Sequence, residues 1–269
     1  MEYKNIKGVP DFVCEEYQQK QTKYCVLIPI INEERRIHIE LLRAKRAGID
    51  QEADIIICDG GSTDGCTDSE LLTKLGVNTL LTKIGPGKQG AQLRMGFWWA
   101  LERGYDGFIT IDGNNKDSIE DIPKFIEKLD KGYDFVQGSR YVKGGRAINT
   151  PFLRHIAVNV IHAPVISLTA GKRFTDTTNA FRAYSKKYIL HPQVQPFRDI
   201  FVTYELLAYL SVKASQLGLK TCEVPVTRAY PKGKKAPTKI KGFRGNNHLL
   251  KILFLNARGK YDVKTNENK

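Results

Sequence analysis

Three short apolar runs in the first half of the chain each lead into an acidic or amide side chain. Runs of about 4–8 apolar residues bounded by turn residues are typical of buried strands. Helical periodicity at residues 33–47 and 88–101 separates them, and this α/β alternation predicts a mostly parallel sheet with helices on both faces. Ligands bind such sheets outside the carboxyl ends of the strands. The runs and the side chains after them are Tyr24–Ile30 with Asn32, 53–58 with Asp59, and 107–111 with Asp112.

The whole chain is expected to form one domain. At 269 residues the chain is long enough for a single large α/β core. We expect the domain to span residues 22–258, with residues 1–21 as a polar lead-in that allows a short helix and 259–269 as a polar tail. Further predicted elements are a strand at 77–82, helices at 119–131, 199–217 and 246–257, and strands at 133–136 and 220–226.

The net charge of +13 is concentrated in one segment. Residues 220–244 carry eight basic residues and one acid, a run that suits nucleic acid, an anionic membrane surface or phosphate-bearing substrates. Helix-turn-helix, zinc and aromatic ribonucleoprotein signatures are all missing, so we expect no nucleic-acid partner. The five cysteines form no Cys-x-x-Cys pair, and no signal-peptide layout opens the sequence, which favours a cytoplasmic protein.

Membrane attachment is expected to be peripheral. A spanning helix needs about 20 apolar residues, and no stretch approaches that length. The longest candidate, residues 156–170, contains Asn159, His162 and Pro164, and we interpret it as a kinked interfacial segment at the cytoplasmic face.

Seven short motifs follow one another in a fixed order between residues 29 and 226. Together they resemble the family 2 glycosyltransferases, most closely the polyprenyl-phosphate branch that includes enzymes like dolichol-phosphate mannose synthase. The resemblance spans roughly residues 22–245. The motifs are Pro29-Ile30-Ile31-Asn32-Glu33, Asp59-Gly60-Gly61-Ser62, Lys88-Gln89-Gly90-Ala91, Asp112-Gly113-Asn114, Gly138-Ser139-Arg140-Tyr141, Thr175-Asp176-Thr177-Thr178-Asn179 and Glu223-Val224-Pro225-Val226.

The resemblance implies a GT-A type, Rossmann-like single domain. It also implies an inverting transfer of a sugar from a nucleoside diphosphate sugar to a polyprenyl phosphate or a lipid-linked glycan. A soluble or polymeric glycan acceptor remains an alternative. A sugar nucleotidyltransferase is a further alternative, but it is expected to carry a Gly-rich loop after the first strand, where this chain has Asn-Glu-Glu-Arg-Arg at residues 32–36.

The donor-binding residues implied by the resemblance lie at the strand ends. The family commonly has a second acid after the first one of the second motif, where this chain has Gly60, so Asp59 stands alone. Asp59 can also be read as a turn residue. Lys88 and Arg94 either reach a nucleotide phosphate or base or are ordinary surface charges. The predicted nucleotide-binding residues are Pro29, Ile30, Asn32, Glu33, Asp59, Lys88, Arg94, Asp112, Gly113 and Asn114.

Asp112 and Asn114 map onto the acidic metal motif of the family and predict a divalent cation, Mg²⁺ or Mn²⁺, clamped to the donor diphosphate. The family motif has a second acid where this chain has Asn114, whose amide is a weaker ligand. Lys116 stands where another oxygen ligand often follows, and it could instead supply positive charge to the diphosphate. In either case the charge that develops on the leaving group must be met by a cation or fixed dipoles.

The acceptor side is assigned through the remaining motifs. Arg140 aligns with an arginine that the family places near donor or acceptor phosphates, a role that suits its bidentate donors. Asp176 is predicted to act as base if the acceptor is a hydroxyl, and to orient acceptor or metal if it is an anionic lipid phosphate. Lys232 and Lys239, with Lys234 and Lys235, fall where the family carries residues that close over the pyrophosphate, as in a mobile lid. Binding of the lysines at 234, 235 and 239 to an anionic membrane surface is the other expectation.

Overall fold

The computed structural model describes residues 1–232 and 242–263 of the chain. Within them, nine strands form one large sheet and two form a small one. The strands are β1 (Glu2–Tyr3), β2 (Phe12–Glu16), β3 (Tyr24–Ile30), β4 (Asp54–Asp59), β5 (Val77–Lys83), β6 (Gly107–Thr110), β7 (Phe135–Ser139), β8 (Arg146–Ile148), β9 (Arg182–Ser185), β10 (Thr221–Pro225) and β11 (Thr227–Ala229).

The large sheet has the order β1-β2-β5-β4-β3-β6-β9-β7-β10. Strands β5, β4, β3 and β6 are adjacent and parallel. Strands β2 and β9 are antiparallel to the strands beside them. The strands β3 and β4 are buried on both faces, as their continuous apolar runs require. The predicted mostly parallel α/β sheet is confirmed.

Helices cover both faces of the sheet. Ile37, Leu41 and Phe125 build the core on one side, and Phe97 and Leu206 build it on the other. The helices are α1 (Arg35–Arg46), α2 (Ile49–Glu52), α3 (Ser69–Lys74), α4 (Gln89–Glu102), α5 (Ile122–Asp130), α6 (Phe152–Ile156), α7 (Ala163–Ala170), α8 (Lys186–Ile189), α9 (Glu205–Gln216) and α10 (Gly242–Ala257).

Residues near both ends of the described chain pack into the fold more closely than their polar composition indicates. Strands β1 and β2 lie at the sheet edge, where Phe12 is fully buried, so the short helix allowed for residues 1–21 is wrong. Burial alternates over residues 12–14, as in a strand with one face toward the core, although all three residues are apolar in the sequence. Near the other end, Tyr261 is buried close to Phe201, and Asp262 accepts a 2.9 Å hydrogen bond from Lys213 Nζ.

Two differences in the second half reflect long-range packing. The helix predicted from residue 199 begins at Glu205, because residues 199–204 lie as a loop on the start of α4. A Cβ on Gly90 would stand 2.6 Å from the Phe201 carbonyl oxygen, so only glycine allows this close approach. Strand β9, which was not predicted, enters the sheet antiparallel between β6 and β7.

The apolar segment that begins at α6 is longer than predicted. Helices α6 and α7 are joined by a π-helical stretch, Ala157–His162, into one helical segment, Phe152–Ala170. It has 19 residues and a mean hydropathy of 1.3, so by length and composition alone it could cross a membrane. The expectation that no stretch approaches spanning length is therefore wrong. The segment also contacts α9 and α10, which a core or surface helix would do as well.

Candidate active site

The loops after β3 and β4 are tied together at the carboxyl edge of the sheet. Asn32 Oδ1 accepts from the Thr63 N–H at 2.8 Å, and the Asn32 N–H donates to Ser62 Oγ at 2.9 Å. Asn32 has a φ of 48°, in the left-handed region that asparagine tolerates better than most residues. The buried Glu33 accepts a 3.0 Å hydrogen bond from Arg36 Nε. These predicted nucleoside residues therefore lie together at one rim.

Asp59 organises its own loop. Its Oδ2 accepts from the N–H groups of Gly61 and Ser62, each at 2.9 Å, and its Oδ1 accepts from Ser62 Oγ at 2.5 Å. The residue is 1% exposed. Asp59 therefore acts as a turn residue, one of the two roles that the sequence allows for it. A direct contact between Asp59 and a nucleoside stays a prediction.

Helix α4 presents its first residues to the site. Lys88 is exposed just before the helix, and Gln89 Nε2 donates to Asp112 Oδ1 at 3.0 Å. One turn on, Gln92 Nε2 donates to the carbonyl oxygens of Ile30 at 2.6 Å and Cys58 at 2.7 Å. Gln92, which the sequence reasoning did not single out, thus joins the ends of β3 and β4.

Arg94 lies away from Asp112 in this structure, so the contact predicted between Arg94 and a nucleotide is not among the contacts that the fold brings together at the site. Its side chain is buried against the N-terminal segment and the loop before α9. There Arg94 Nη1 donates to the Gly8 carbonyl at 2.5 Å and to Asp199 Oδ1 at 2.7 Å. The helical periodicity of α4 carries Arg94 onto the Gly90 face, away from the face that bears Gln89 and Gln92.

The loop after β6 places Asp112 at the centre of the site. A Cβ at Gly113 would lie 2.5 Å from Ile30 Cγ2, so the chain needs glycine there to bring Asp112 and Asn114 close to the sheet edge. Asn114 Nδ2 lies 3.4 Å from Asp112 Oδ2. Asn114 Oδ1 is buried without a hydrogen-bond partner in the part of the chain that the structure describes. A buried oxygen of this kind marks a place for a ligand donor or cation.

Arg228 completes the site and was missed by the sequence reasoning. It lies on β11 and is 4% exposed. Its Nη2 lies 3.4 Å from Asp112 Oδ2, and its Nη1 donates to Asp117 Oδ2 and to Asn179 Oδ1 at 3.2 Å. The signal available was its position three residues after Pro225 in the last motif of the resemblance. Nothing local distinguished it from the other basic residues of that segment.

The charges around Asp112 keep its carboxylate ionised. Burial raises the pKa of Asp112, but the positive charges of Arg228 and Lys116 outweigh this effect and lower it below its usual value. The pKa of Arg228 is raised, because the carboxylates of Asp117 and Asp112 more than offset the effect of burial. Burial, together with repulsion from Arg228, lowers the pKa of Lys116 to about 8.

Beside Asp112 the loop forms a cavity of about 290 Å³. The Lys116 ammonium lies 5.3 Å from the centre of the Tyr230 ring, and the Tyr230 hydroxyl accepts a 3.3 Å hydrogen bond from Arg154 Nη1. The cavity therefore combines a phenol ring with basic side chains. Its lining residues are Arg36, Asn114, Asn115, Lys116, Ala229, Tyr230 and Pro231.

Arg140 and Asp176 form a buried ion pair. Arg140 Nε donates to Asp176 Oδ2 at 2.6 Å and Nη2 donates to Oδ1 at 2.8 Å, while the Arg140 backbone N–H adds a 3.1 Å bond to Oδ2. Asp176 is 0% exposed. Asp176 is engaged by Arg140 in this structure. Its predicted roles, as a base for a hydroxyl acceptor or in orienting the acceptor or metal, stay predictions. Arg140 Nη1 has no hydrogen-bond partner among the described residues.

The predicted lid is described only at its start. Lys232 is exposed at the end of the first described segment. Lys239, Lys234 and Lys235 lie outside the described residues, so their predicted contact with the pyrophosphate stays a prediction.

The oxygen ligands fit a divalent cation only in part. Across residues 1–232 and 242–263, no group of three or more His, Cys, Asp or Glu side chains could hold a metal ion. Asn114 Oδ1 suits a cation, but the two Asp112 oxygens already accept hydrogen bonds from Gln89 and Arg228. The positive charges of Arg228 and Lys116 also act on Asp112. The site therefore does not form a cage for a tightly held cation.

Comparisons with known proteins agree with this architecture. The profile described as Glycosyl transferase family 2 matches residues 25–191. The chain is 28% identical over 204 residues to the undecaprenyl-phosphate mannosyltransferase of Micrococcus luteus, covering 75% of this chain and 81% of that protein. It is 24% identical over 240 residues to the polyprenol monophosphomannose synthase of Mycolicibacterium smegmatis, covering 88% of each.

A solved structure supports the fold alone. The glucosyl-3-phosphoglycerate synthase of Mycobacterium tuberculosis, in complex with Mn²⁺, UDP and phosphoglyceric acid, superposes with a TM-score of 0.63 at 14% identity. The match covers 91% of this chain and 80% of that one. The predicted GT-A fold is thereby confirmed.

Proposed function

The chain belongs to glycosyl transferase family 2 and is a glycosyltransferase, and we propose that it moves a sugar from a nucleoside diphosphate sugar to a polyprenyl phosphate. The assignment of a nucleoside diphosphate sugar as the donor rests on the cluster of Asp112, Asn114, Lys116 and Arg228 at the carboxyl edge of the sheet. The acceptor half rests on the relatives, whose names specify undecaprenyl phosphate and polyprenol.

The donor is proposed to lie across the ends of β3, β4 and β6. Asn32, Glu33 and the Asp59 loop form the rim on the nucleoside side, next to Pro29 and Ile30. Lys88 and Gln89 stand between this rim and Asp112, at the start of α4. The diphosphate then falls beside Asp112 and Asn114, where the basic side chains of Arg228 and Lys116 also lie.

The transfer is proposed to be a single displacement. An oxygen of the lipid phosphate forms a bond to the anomeric carbon while the bond from that carbon to the diphosphate breaks, which inverts the configuration. The attacking phosphate is already anionic, so no base has to remove a proton. This is consistent with the Asp176 carboxylate being engaged by Arg140. We propose that Arg140 Nη1 donates a hydrogen bond to the acceptor phosphate. Asp176 is proposed to fix the guanidinium of Arg140 for that contact.

For the predicted divalent cation we propose only that it adds positive charge near the leaving diphosphate. A cation supplies positive charge to a leaving diphosphate. Asp112 and Asn114 would be its protein ligands here, and they form an incomplete set. The Mn²⁺ of the solved relative belongs to that protein.

The acceptor is proposed to reach the site from a membrane surface at the cytoplasmic face. Only 17% of the apolar 18-residue window in the helical segment Phe152–Ala170 is buried. Phe152, Leu153, Val160 and Leu168 are between 67% and 83% exposed. Arg154 of the same segment contacts Tyr230 in the cavity beside Asp112. An apolar helix that lies in the headgroup region would bring a lipid phosphate to this side of the domain.

A donor and acceptor screen tests the proposal. Purified protein is mixed with UDP- and GDP-linked sugars and with vesicles that contain polyprenyl phosphate, and sugar in the lipid fraction is measured. We expect one donor class to label the lipid, and Asp112→Ala to abolish the label. Transfer to soluble or polymeric glycans without any lipid product would overturn the acceptor assignment and support the alternative.

A further inference from the structure

Lys116, two residues after Asn114, carries a positive charge at a position where a divalent cation would need an oxygen ligand. The Lys116 ammonium has three donors and no acceptor, so it cannot ligate a metal in its protonated form, but it can donate to phosphate oxygens. It lines the cavity beside Asp112 together with Asn114 and Tyr230. Lys116 is 5% exposed, and its carbonyl oxygen accepts a 2.8 Å hydrogen bond from the N–H of Ala229. The β11 segment therefore fixes the Lys116 backbone.

The surroundings of Tyr230 show that this cavity is electropositive. Burial alone would raise the pKa of the phenol, yet the positive charges of Arg228, Arg154, Lys116 and Arg140 lower it below its usual value. These four basic side chains face three carboxylates, those of Asp112, Asp117 and Asp176. A pocket with an excess of positive charge attracts a group such as a diphosphate.

We propose that the Lys116 ammonium binds the donor diphosphate and supplies, together with Arg228, the positive charge that the incomplete cation site does not. The proposal rests on the proposed function, because it concerns the diphosphate of that donor. It implies that nucleoside diphosphates bind this chain without a divalent cation. Arg228 is held by Asp112, Asp117 and Asn179 and acts as a fixed charge. Lys116 is among the residues that line the cavity.

The donor diphosphate is favoured over the acceptor phosphate by position. Lys116 follows Asp112 and Asn114 in the same loop and lines the cavity together with Asn114. Arg154 lies on the exposed helical segment, which is the side proposed for the lipid, and Arg140 is held by Asp176. Loss of Lys116 is therefore expected to change donor affinity first.

Calorimetric titration of UDP and GDP, each in excess EDTA and in excess Mn²⁺, tests the inference on the whole chain. The wild-type protein is expected to bind one of them with a similar Kd in both buffers. Lys116→Met should weaken binding in EDTA by about tenfold, the typical effect of losing one charge-assisted hydrogen bond. Lys116→Arg keeps the charge and should keep the affinity, which separates loss of charge from local misfolding. Lys131→Gln removes an exposed lysine after α5 and serves as the matched control.

A converse variant makes the test sharper. Lys116→Gln combined with Asn114→Asp replaces the ammonium by oxygen ligands, so binding should become weak in EDTA and recover with Mn²⁺. Wild-type binding that requires Mn²⁺, or Lys116→Met binding as tightly as wild type in EDTA, would overturn the inference while leaving the proposed function intact. Binding of neither nucleotide in either buffer would overturn both, because the donor assignment itself would be wrong.

Discussion

Arg140 and Asp176 hold each other through two parallel hydrogen bonds, of 2.6 and 2.8 Å, and neither side chain is more than 1% exposed. A carboxylate in that position fixes a guanidinium and is poorly placed to take a proton from a substrate. The pair thus supports an acceptor that arrives already anionic.

Breaking this pair should damage the fold as well as transfer. Asp176→Asn leaves a buried guanidinium without its counter-charge, which typically costs about 3–5 kcal/mol of the free energy of unfolding. Chemical denaturation measures this loss. If Asp176 positions Arg140 and is no base, the residual transfer activity of Asp176→Asn should keep the shape of the wild-type pH profile. Loss of one limb of the profile would instead assign a proton-transfer role to Asp176.

Asp112 should be required for transfer, while Asn114 should tolerate a carboxylate. Asp112→Ala removes the carboxylate that Gln89, Asn114 and Arg228 surround, and we expect a loss of about 100-fold or more in kcat, as for other groups that organise transition-state charge. Asn114→Asp should remain active and respond more strongly to added Mn²⁺. Steady-state kinetics with and without metal measure both effects. Near wild-type activity of Asp112→Ala would place the phosphate site elsewhere.

Glu40 should make stability fall as pH rises. Its carboxyl group is fully buried on α1, and although the Asn115 N–H donates to it at 2.7 Å, burial raises its pKa well above the usual value. Above the unfolded pKa of about 4.3, the unfolded chain loses this proton while the folded chain keeps it. Stability is therefore lost with increasing pH, by at most about 1.4 kcal/mol per pH unit, until the folded pKa is reached.

Glu40→Gln, which does not titrate, tests this expectation. Its free energy of unfolding should match the wild type near pH 4 and exceed it at pH 7–8, measured by denaturation at each pH. Glu102→Gln, at an exposed position in α4, is the matched control and should show no such trend. A Glu40→Gln protein that is less stable than wild type at neutral pH would show that Glu40 is ionised and paired in the fold.

The exposed face of residues 152–170 should bind membranes. Leu153 and Leu168 are 79% and 83% exposed, and transfer of each side chain into lipid is worth roughly 1.5–3 kcal/mol. Leu153→Ser with Leu168→Ser should therefore weaken co-sedimentation with anionic vesicles by at least about tenfold. Ile39→Ser, at a 48% exposed position on α1 in the opposite helix layer, is the control. Equal vesicle binding by all three proteins would exclude this segment as the membrane contact.

Basic residues should add a salt-sensitive component. Each lysine near an anionic leaflet contributes about 1 kcal/mol. Charge reversal at Lys234, Lys235 and Lys239 is expected to weaken vesicle binding at low salt. Unchanged vesicle binding with impaired catalysis would instead assign these lysines to the donor phosphates.

The sequence predicts those parts of the fold that depend on local pattern. β3, β4 and β6 follow from apolar runs, and Asp112 and Asn114 are found because they directly follow one of them. β9 and β2 enter the sheet through long-range pairing, which no local period reports.

The sequence predicted only part of the site, because the other part is assembled by contacts between residues far apart in the chain. Arg228 reaches Asp112 from 116 positions further along the chain, so only the folded sheet brings the two together. Arg94 looked suitable because it follows Lys88 closely, but the rotation of α4 turns it toward Gly8 and Asp199. Local spacing therefore predicted the loop with Asp112, Asn114 and Lys116 and missed Arg228, the other positive charge that acts on Asp112.

The chemical structure of the reaction product tests the central claim most directly. The protein is incubated with its active nucleoside diphosphate sugar and polyprenyl phosphate, and the lipid product is analysed by mass spectrometry and nuclear magnetic resonance. We predict one sugar joined to the lipid through a single phosphate, with the anomeric configuration opposite to that of the donor. A sugar on a hydroxyl group of a glycan, or a lipid product with retained configuration, would contradict it.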